Sequence, residues 1–377
     1  MATLGIGIIG CGNISAAYLR LGPLFKGFEM RTVADIDIEA ARARADEFGV
    51  EARTVDDLLG SGDIDVIVNL TIPAVHYQVT KDILSAGKHA YSEKPLVLSL
   101  EEGEDLRRMA AAAGLRVGSA PDTFLGGAHQ QVRALIDDGT VGQIVTGTAH
   151  VMSRGMEHWH PNPDFFFQPG AGPMLDVGPY YVTNLIQLLG PVERVTAAAT
   201  SASETRTILS QPRKGETIPV ETPTTIHAIL TFASGAIITL GTSWDVKAHR
   251  HANMELYGTE GSLFVPDPNF FGGALEISDA EGKISEVAPW DHPFGVPNEG
   301  LDGSTPQANY RTAGLAEMAE ALSEDRPHRC SLELAIHTVE VMTAALTSAE
   351  TGQPVEMTTT CERPDALGPA DAAALLN

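Results

Sequence analysis

Two textures alternate along the first 120 residues. Short apolar runs read as strands: LGIGIIG (4–10), EMRTVAD (29–35), DVIVNL (65–70), KHAYSE (88–93) and LRVGSA (115–120). The amphipathic stretches 38–48, 74–87 and 99–114 between them read as helices, and Ser99 followed by Glu102 fits a capping box. Strand and helix in alternation predict a parallel sheet with helices on both faces.

After residue 121 the pattern changes. A helix over 127–138 precedes a strand over 143–153, and further strands fall at 192–201, 224–232, 236–244, 252–259, 261–267 and 274–280. Turn signals such as Ser234-Gly235, Thr259-Glu260-Gly261 and Gly272-Gly273 join them, as in a mostly antiparallel sheet. The apolar run 170–190, opened by glycines and prolines, reads as a helix, as do 310–324 and 331–350. Segments 205–222 and 290–307 read as loops. The expected division is one domain over 1–120 and a second over 121–377.

Composition adds limits. The 377 residues are 43% hydrophobic, which suits a two-domain globular chain. No apolar run approaches the ~20 residues of a membrane span. The start MATLGIGIIG reads as a strand and not a signal peptide. Twenty-five basic against 49 acidic residues give a net charge of −24, which disfavours nucleic acid and anionic membrane as partners. Cys11, Cys330 and Cys361 have no disulfide or metal-knuckle spacing, and a reducing cytoplasm is the expected location.

Candidate chemistry begins at Gly10-Cys11-Gly12-Asn13-Ile14-Ser15, a G-x-G-x-x-S loop closing the first strand. Glycines permit a tight turn and close approach of a pyrophosphate, and the following helix N-terminus offers N–H groups to it. Asp35, ending the next strand, stands where an acid takes the ribose hydroxyls. Its neighbours Ile36 and Asp37 include no arginine for a 2′-phosphate, which favours NAD over NADP. Glu93-Lys94-Pro95 lies at the C-terminal end of a strand, where open α/β sheets bind ligands. Asp176 precedes Tyr180 by four residues, one face of a helix.

The combination GIIGCGNIS, ADID, TIPAVHY, SEKPL, GPMLDVGPYY and LLG resembles the Gfo/Idh/MocA oxidoreductases over residues 4 to about 350. That resemblance implies an α/β fold: a Rossmann domain followed by an α/β domain on a large, predominantly antiparallel open sheet. It also implies homodimers or homotetramers joined through the exposed sheet face. The implied activity is hydride transfer between nicotinamide and a secondary hydroxyl of a sugar, glycoside or cyclitol. Lys94 matches the family's catalytic lysine, and the Lys94–Pro95 bond one that is often cis. Thr71, Pro73 and His76 match the segment lining the cofactor near the nicotinamide, beside Glu93. Asp176 matches the acid that meets substrate hydroxyls. Tyr180 departs from the family's usual histidine and places the chain with a tyrosine-bearing subset.

A phenol of pKa near ~10 is a poor base at neutral pH, but a nearby ammonium favours the phenolate by roughly a unit or more. Lys94 and Tyr180 would then take the alcohol proton as a pair, with Asp176 orienting the sugar; Tyr181 is the competing phenol. His158, Trp159 and His160 precede that helix. They fit contact with a sugar, a metal, the role of proton acceptor, or a structural part in a proline-rich loop; no acid or cysteine spacing supports the metal. Asp122 and Thr123 follow the last Rossmann strand and should lie near the cleft, and His249-Arg250-His251 reads as a solvated turn. Two other functions fit the same scaffold: glycoside cleavage through transient oxidation with retained NAD, and a non-catalytic sensor of dinucleotide and sugar. The intact Lys94 argues against the sensor.

Overall fold

The computed structural model describes residues 3–300 and 305–377. Residues 1–2 of the first predicted strand and 301–304 of the predicted 290–307 loop lie outside them. Two compact units are present. One comprises the chain up to Gly126 with Asp291–Ile336 and Pro364–Asn377; the other comprises Gly127–Trp290 and His337–Arg363.

In the first unit the order is β1 (Leu4–Ile9), α1 (Asn13–Leu21), β2 (Phe28–Ala34), α2 (Ile38–Phe48), β3 (Glu51–Arg53) and α3 (Val55–Leu59). Then follow β4 (Val66–Asn69), α4 (His76–Ser85), β5 (His89–Ser92), α5 (Leu100–Ala113) and β6 (Val117–Ser119). All pairings are parallel, in the order β3-β2-β1-β4-β5-β6. The chain reverses direction across the sheet between β1 and β4, the switch point where this architecture opens a crevice. Ile6, Ile8 and all of Val66–Asn69 are buried, as strands covered on both faces must be. Ser99 caps α5 by accepting the Glu102 N–H, while the Glu102 carboxylate accepts the Leu98 N–H at 3.0 Å instead of that of Ser99. The capping box is thus displaced by one residue.

The second unit contains α6 (Gly127–Asp137), β7 (Ile144–Met152), α7 (Gly172–Asp176), α8 (Gly178–Leu189), β8 (Val192–Thr200), β9 (Thr205–Thr207) and β10 (Thr217–Pro219). Six more strands follow: β11 (Thr225–Phe232), β12 (Ile237–Ser243), β13 (Met254–Gly258), β14 (Ser262–Val265), β15 (Glu276–Ser278) and β16 (Ile284–Glu286). The late elements of the chain are α9 (Ala313–Glu324), α10 (Leu332–Thr351), β17 (Val355–Glu356) and α11 (Pro369–Ala374). The large sheet runs β16-β15-β14-β13-β7-β12-β11-β8-β17, antiparallel at every pair except β7–β12. Strand β11 alternates strictly: Ile226, Ala228, Leu230 and Phe232 are buried, and His227 and Ile229 are exposed. One face therefore carries the core and the other stays open. On that open face His251, in the exposed 249–251 turn, stacks on His150 at 3.9 Å.

Two expectations change. The segment 205–222 is not a plain loop: β9 and β10 pair as a two-stranded antiparallel sheet. Strand propensity was masked there by the polar run between Ser210 and Glu216. The late segments 291–336 and 364–377 pack with the first unit and not with the sequence-adjacent second one. Their anchors are the Ser119 N–H to Cys330 carbonyl bond at 3.1 Å and a bridge between Phe25 and Leu376. Among the described residues no helix is long and apolar enough to cross a membrane.

Candidate active site

The glycine loop joins β1 to α1. Gly10 has φ +103°, and a Cβ on it would stand 2.7 Å from the Leu70 carbonyl, so only glycine fits. A Cβ on Gly12 would meet nothing within 4 Å, and α1 starts with no side-chain cap. The first-turn N–H groups of Asn13 and Ile14 are therefore open to an anion, as a pyrophosphate requires. Ser15, at the third small position, is buried, and its hydroxyl donates to the Gly12 carbonyl at 2.6 Å. Burial, reinforced by Asp35, pushes the Cys11 thiol up to about 11, leaving it unreactive.

Asp35 follows β2. Its Oδ2 accepts the Cys11 N–H at 2.7 Å and its Oδ1 the Asp37 N–H at 3.0 Å, while Asp37 itself caps α2. An arginine does reach this loop, from further along the chain. Arg44 Nη2 lies 3.2 Å from the Gly12 carbonyl, and Nη1 donates to Glu47 at 2.6 Å.

At the end of β4, the buried Asn69 organises the next loop. Its Oδ1 accepts the Thr71 hydroxyl at 2.6 Å, and its Nδ2 donates to the His76 carbonyl at 3.0 Å. Pro73 opens a 3-10 turn, flanked by the exposed Ile72 and Val75. His76 departs from the expected cofactor-lining position. It is 1% exposed, with Nδ1 2.7 Å from the Pro95 carbonyl and Nε2 3.0 Å from that of Thr71. Burial holds its pKa below the usual histidine range. The neutral ring lies between two loops and has one N–H, which the shorter contact gives to the Pro95 carbonyl.

Lys94 is half-buried after β5, in a cis peptide with Pro95. Glu93 accepts the Tyr18 hydroxyl on Oε1 at 3.0 Å and the Lys94 N–H on Oε2 at 3.1 Å. The peptide before Lys94 is thus held by Glu93, and the carbonyl of the next residue, Pro95, by His76. Asp122 overturns the cleft-lining expectation. It is 3% exposed, and its Oδ2 accepts the N–H groups of Thr312 at 3.0 Å and Gly314 at 3.1 Å. Thr312 has φ +99°, a strained conformation for a β-branched residue that these bonds sustain. Burial pushes the Asp122 carboxyl up to about 6.

In the second unit the helix predicted over 170–190 is broken. Asp176 is the last residue of α7, Val177 separates the two helices at φ −108°, and Tyr180 lies in the first turn of α8. Pro179 has no N–H to continue the ladder, which is the physical reason for the break. The i,i+4 single-helix argument for Asp176 and Tyr180 therefore fails, although both remain half-buried beside the break. Tyr181 is buried: its hydroxyl donates to Asp267 at 3.1 Å and accepts from Asn253 at 3.0 Å. Desolvation drives its pKa far up. His158, Trp159 and His160 lie in the loop between β7 and α7; Trp159 is 58% exposed and meets His160 edge-on at 5.3 Å.

Sequence reasoning missed Tyr18, Asn69 and Thr312. Asn69 left a signal, an amide closing an all-apolar strand; a buried phenol such as Tyr18 also requires a partner. Thr312 left none, because its conformation depends on Asp122, 190 residues away. Among the described residues no group of three or more His, Cys, Asp or Glu is arranged to hold a metal ion.

Residues 4–120 match the oxidoreductase family with an NAD-binding Rossmann fold, and residues 129–264 match the GFO/IDH/MocA C-terminal domain. A dTDP-3,4-didehydro-2,6-dideoxy-alpha-D-glucose 3-reductase of Streptomyces violaceoruber is 29% identical over 296 residues, 76% of this chain and 80% of its own. The 1,5-anhydro-D-fructose reductase of Ensifer adhaerens is 23% identical over 365 residues, 94% of this chain and 98% of its own. Levoglucosan dehydrogenase, solved with NADH and L-sorbose, shares the fold: TM-score 0.81 at 21% identity, over 95% of this chain and 100% of that one. With both of its domains matched on a parallel sheet and a mixed one of this order, the chain belongs to the Gfo/Idh/MocA family of oxidoreductases.

Proposed function

We propose that the protein transfers a hydride between NAD and a secondary hydroxyl of a sugar, glycoside or cyclitol. Lys94 and Tyr180 handle the proton, and Asp176 holds a neighbouring hydroxyl. The observation that carries this reading is the double anchoring of Lys94, whose N–H is held by Glu93 and whose Pro95 neighbour is held by His76. A lysine this constrained, beyond the carboxyl end of a strand next to an uncapped glycine loop, suits a group that must reach one atom of a substrate. The nicotinamide, when bound, supplies the hydride acceptor; the chain supplies orientation and the proton path.

The family's usual histidine is replaced by Tyr180, which supports a phenol–ammonium pair as the acid/base. Tyr181, with its hydroxyl committed on both sides, is not available for that work. Gly10, Gly12, Asn13 and Ile14 would hold the pyrophosphate and Asp35 the ribose hydroxyls. A carboxylate at that position repels a 2′-phosphate, and Arg44 is engaged with Glu47 and the loop carbonyls, so NAD is preferred to NADP. Sugar-acting relatives support the substrate class. Trp159, His158 and His160 are assigned to the sugar, with Trp159 stacking on its apolar face. A homodimer or homotetramer through the open sheet face, in the cytoplasm, completes the reading.

The test is NADH absorbance on adding aldoses, inositols and glycosides to the purified protein. Lys94→Ala and Tyr180→Phe should each lower turnover by roughly 10²–10⁴-fold while dinucleotide affinity stays near that of the parent. Full turnover in Lys94→Ala would remove the lysine from the mechanism.

A further inference from the structure

The hairpin β9–β10 has no part in the chemistry above, yet it is the surface on which the His158–His160 loop rests. Arg206, on β9, is its centre. Its side chain is 14% exposed; Nη1 donates to Glu157 Oε1 at 3.1 Å and Nη2 donates to Asp245. Its guanidinium also lies 5.6 Å from the centre of the Phe167 ring. Glu157 directly precedes His158, and Asp245 is held in turn by the hydroxyls of Thr224 at 2.8 Å and Thr225 at 2.6 Å at the start of β11. One part-buried cation therefore links the loop to the hairpin and to the sheet.

Further contacts extend the same seam. The Leu209 N–H donates to the Glu157 carbonyl at 2.8 Å, and Ser210 donates to the His160 carbonyl. Arg213, at the hairpin tip, grips Asp164 with both terminal nitrogens. Underneath, Ile208 and Ile218 of the hairpin pack with Phe166, Phe167 and Trp244. The loop borrows its hydrogen bonds and its core from the hairpin. Trp159 is left largely exposed on this loop.

We propose that this hairpin sets carbohydrate specificity, with Arg206 and Arg213 as positioning residues that fix how Trp159 and His160 are presented. The proposal rests on the functional reading above and deepens it. A largely enclosed cation bridging two carboxylates is intolerant of loss, since removing it strands two charges; Arg213→Ala, at a half-exposed pair, is the gentler variant.

The experiment measures kcat, KM and NADH affinity on a panel of sugars and polyols for the parent, Arg206→Lys, Arg206→Met and Arg213→Ala. Expected is a KM increase of roughly tenfold for the preferred sugar in Arg213→Ala, with kcat within about twofold and the order of preference altered. Arg206→Lys, which keeps the charge but cannot fork, should fall between the parent and Arg206→Met. NADH affinity should be unchanged throughout. Unchanged KM values and preference order in Arg213→Ala and Arg206→Lys overturn the proposal, even if Arg206→Met fails to fold. A parent that turns over no member of the panel overturns the functional reading instead, and that outcome is distinguishable because it precedes any comparison among variants. Sugar-dependent quenching of tryptophan fluorescence that is lost in Trp159→Phe and weakened in Arg213→Ala gives a readout independent of turnover.

Discussion

The residues around Lys94 do their work through its backbone. Glu93 and His76 hold the main chain at Lys94 and at Pro95, and Tyr18 holds the Glu93 carboxylate in turn. Asp35 shows the same economy, since its carboxylate orders the glycine loop through the Cys11 N–H before any cofactor arrives. Replacing it therefore has two consequences. In Asp35→Ala, NADH affinity should fall at least roughly tenfold through the lost ribose contacts and the loosened loop. NADPH affinity should fall less, because the repulsion of a 2′-phosphate goes as well. Titration of both cofactors by fluorescence decides this, and a parent that prefers NADPH would contradict the assignment.

Among elements, the α7–α8 break shows how local covalent chemistry overrides a hydrophobic pattern. The run 172–189 is apolar enough for one helix, but Pro179 interrupts the ladder and a new helix starts at Gly178. Helix α5 shows the opposite case, in which a sequence signal survives with a small change of partner. Ser99→Ala should lower stability by about 1 kcal/mol, read as a shift in the urea midpoint with unchanged slope. No shift would mean that the Glu102–Leu98 bond alone suffices as the cap.

For the whole molecule, histidine burial governs the response to acid. Burial pushes His129 and His337 each down to about 4, and His76, His89, His292 and His328 are lowered by the same cause. Each is neutral in the fold and takes up a proton more readily when unfolded. Their contribution is thus complete above pH ~6.5 and is lost as pH falls toward 4. For His129 and His337 the displacement from 6.5 to about 4 corresponds to roughly 3 kcal/mol each. Asp122, raised to about 6, acts in the other direction: it favours the fold below its unfolded pKa and loses that contribution as pH rises through 6. Relief of the −24 charge on acidification also opposes the histidines, but salt screens it. In 0.15 M salt or above, thermal midpoints should be level above pH 7 and drop steadily below 6.5. A midpoint unchanged down to pH 5 would show that these histidines are accessible.

Periodicity and turn chemistry are local, so the sequence by itself determined the strand–helix alternation, the glycine loop, the Ser99 cap and the positions of Asp35 and Lys94. Hydrogen bonds between distant residues are not local, and only the tertiary structure decided them. It buried Asp122 under Thr312, turned His76 from a ligand contact into a bridge, committed Tyr181 to Asp267, and set Arg206 beneath the His158 loop. Each of these polar groups found its partner 19 to 190 residues away, because a polar atom leaving water must be satisfied by whatever the fold brings to it.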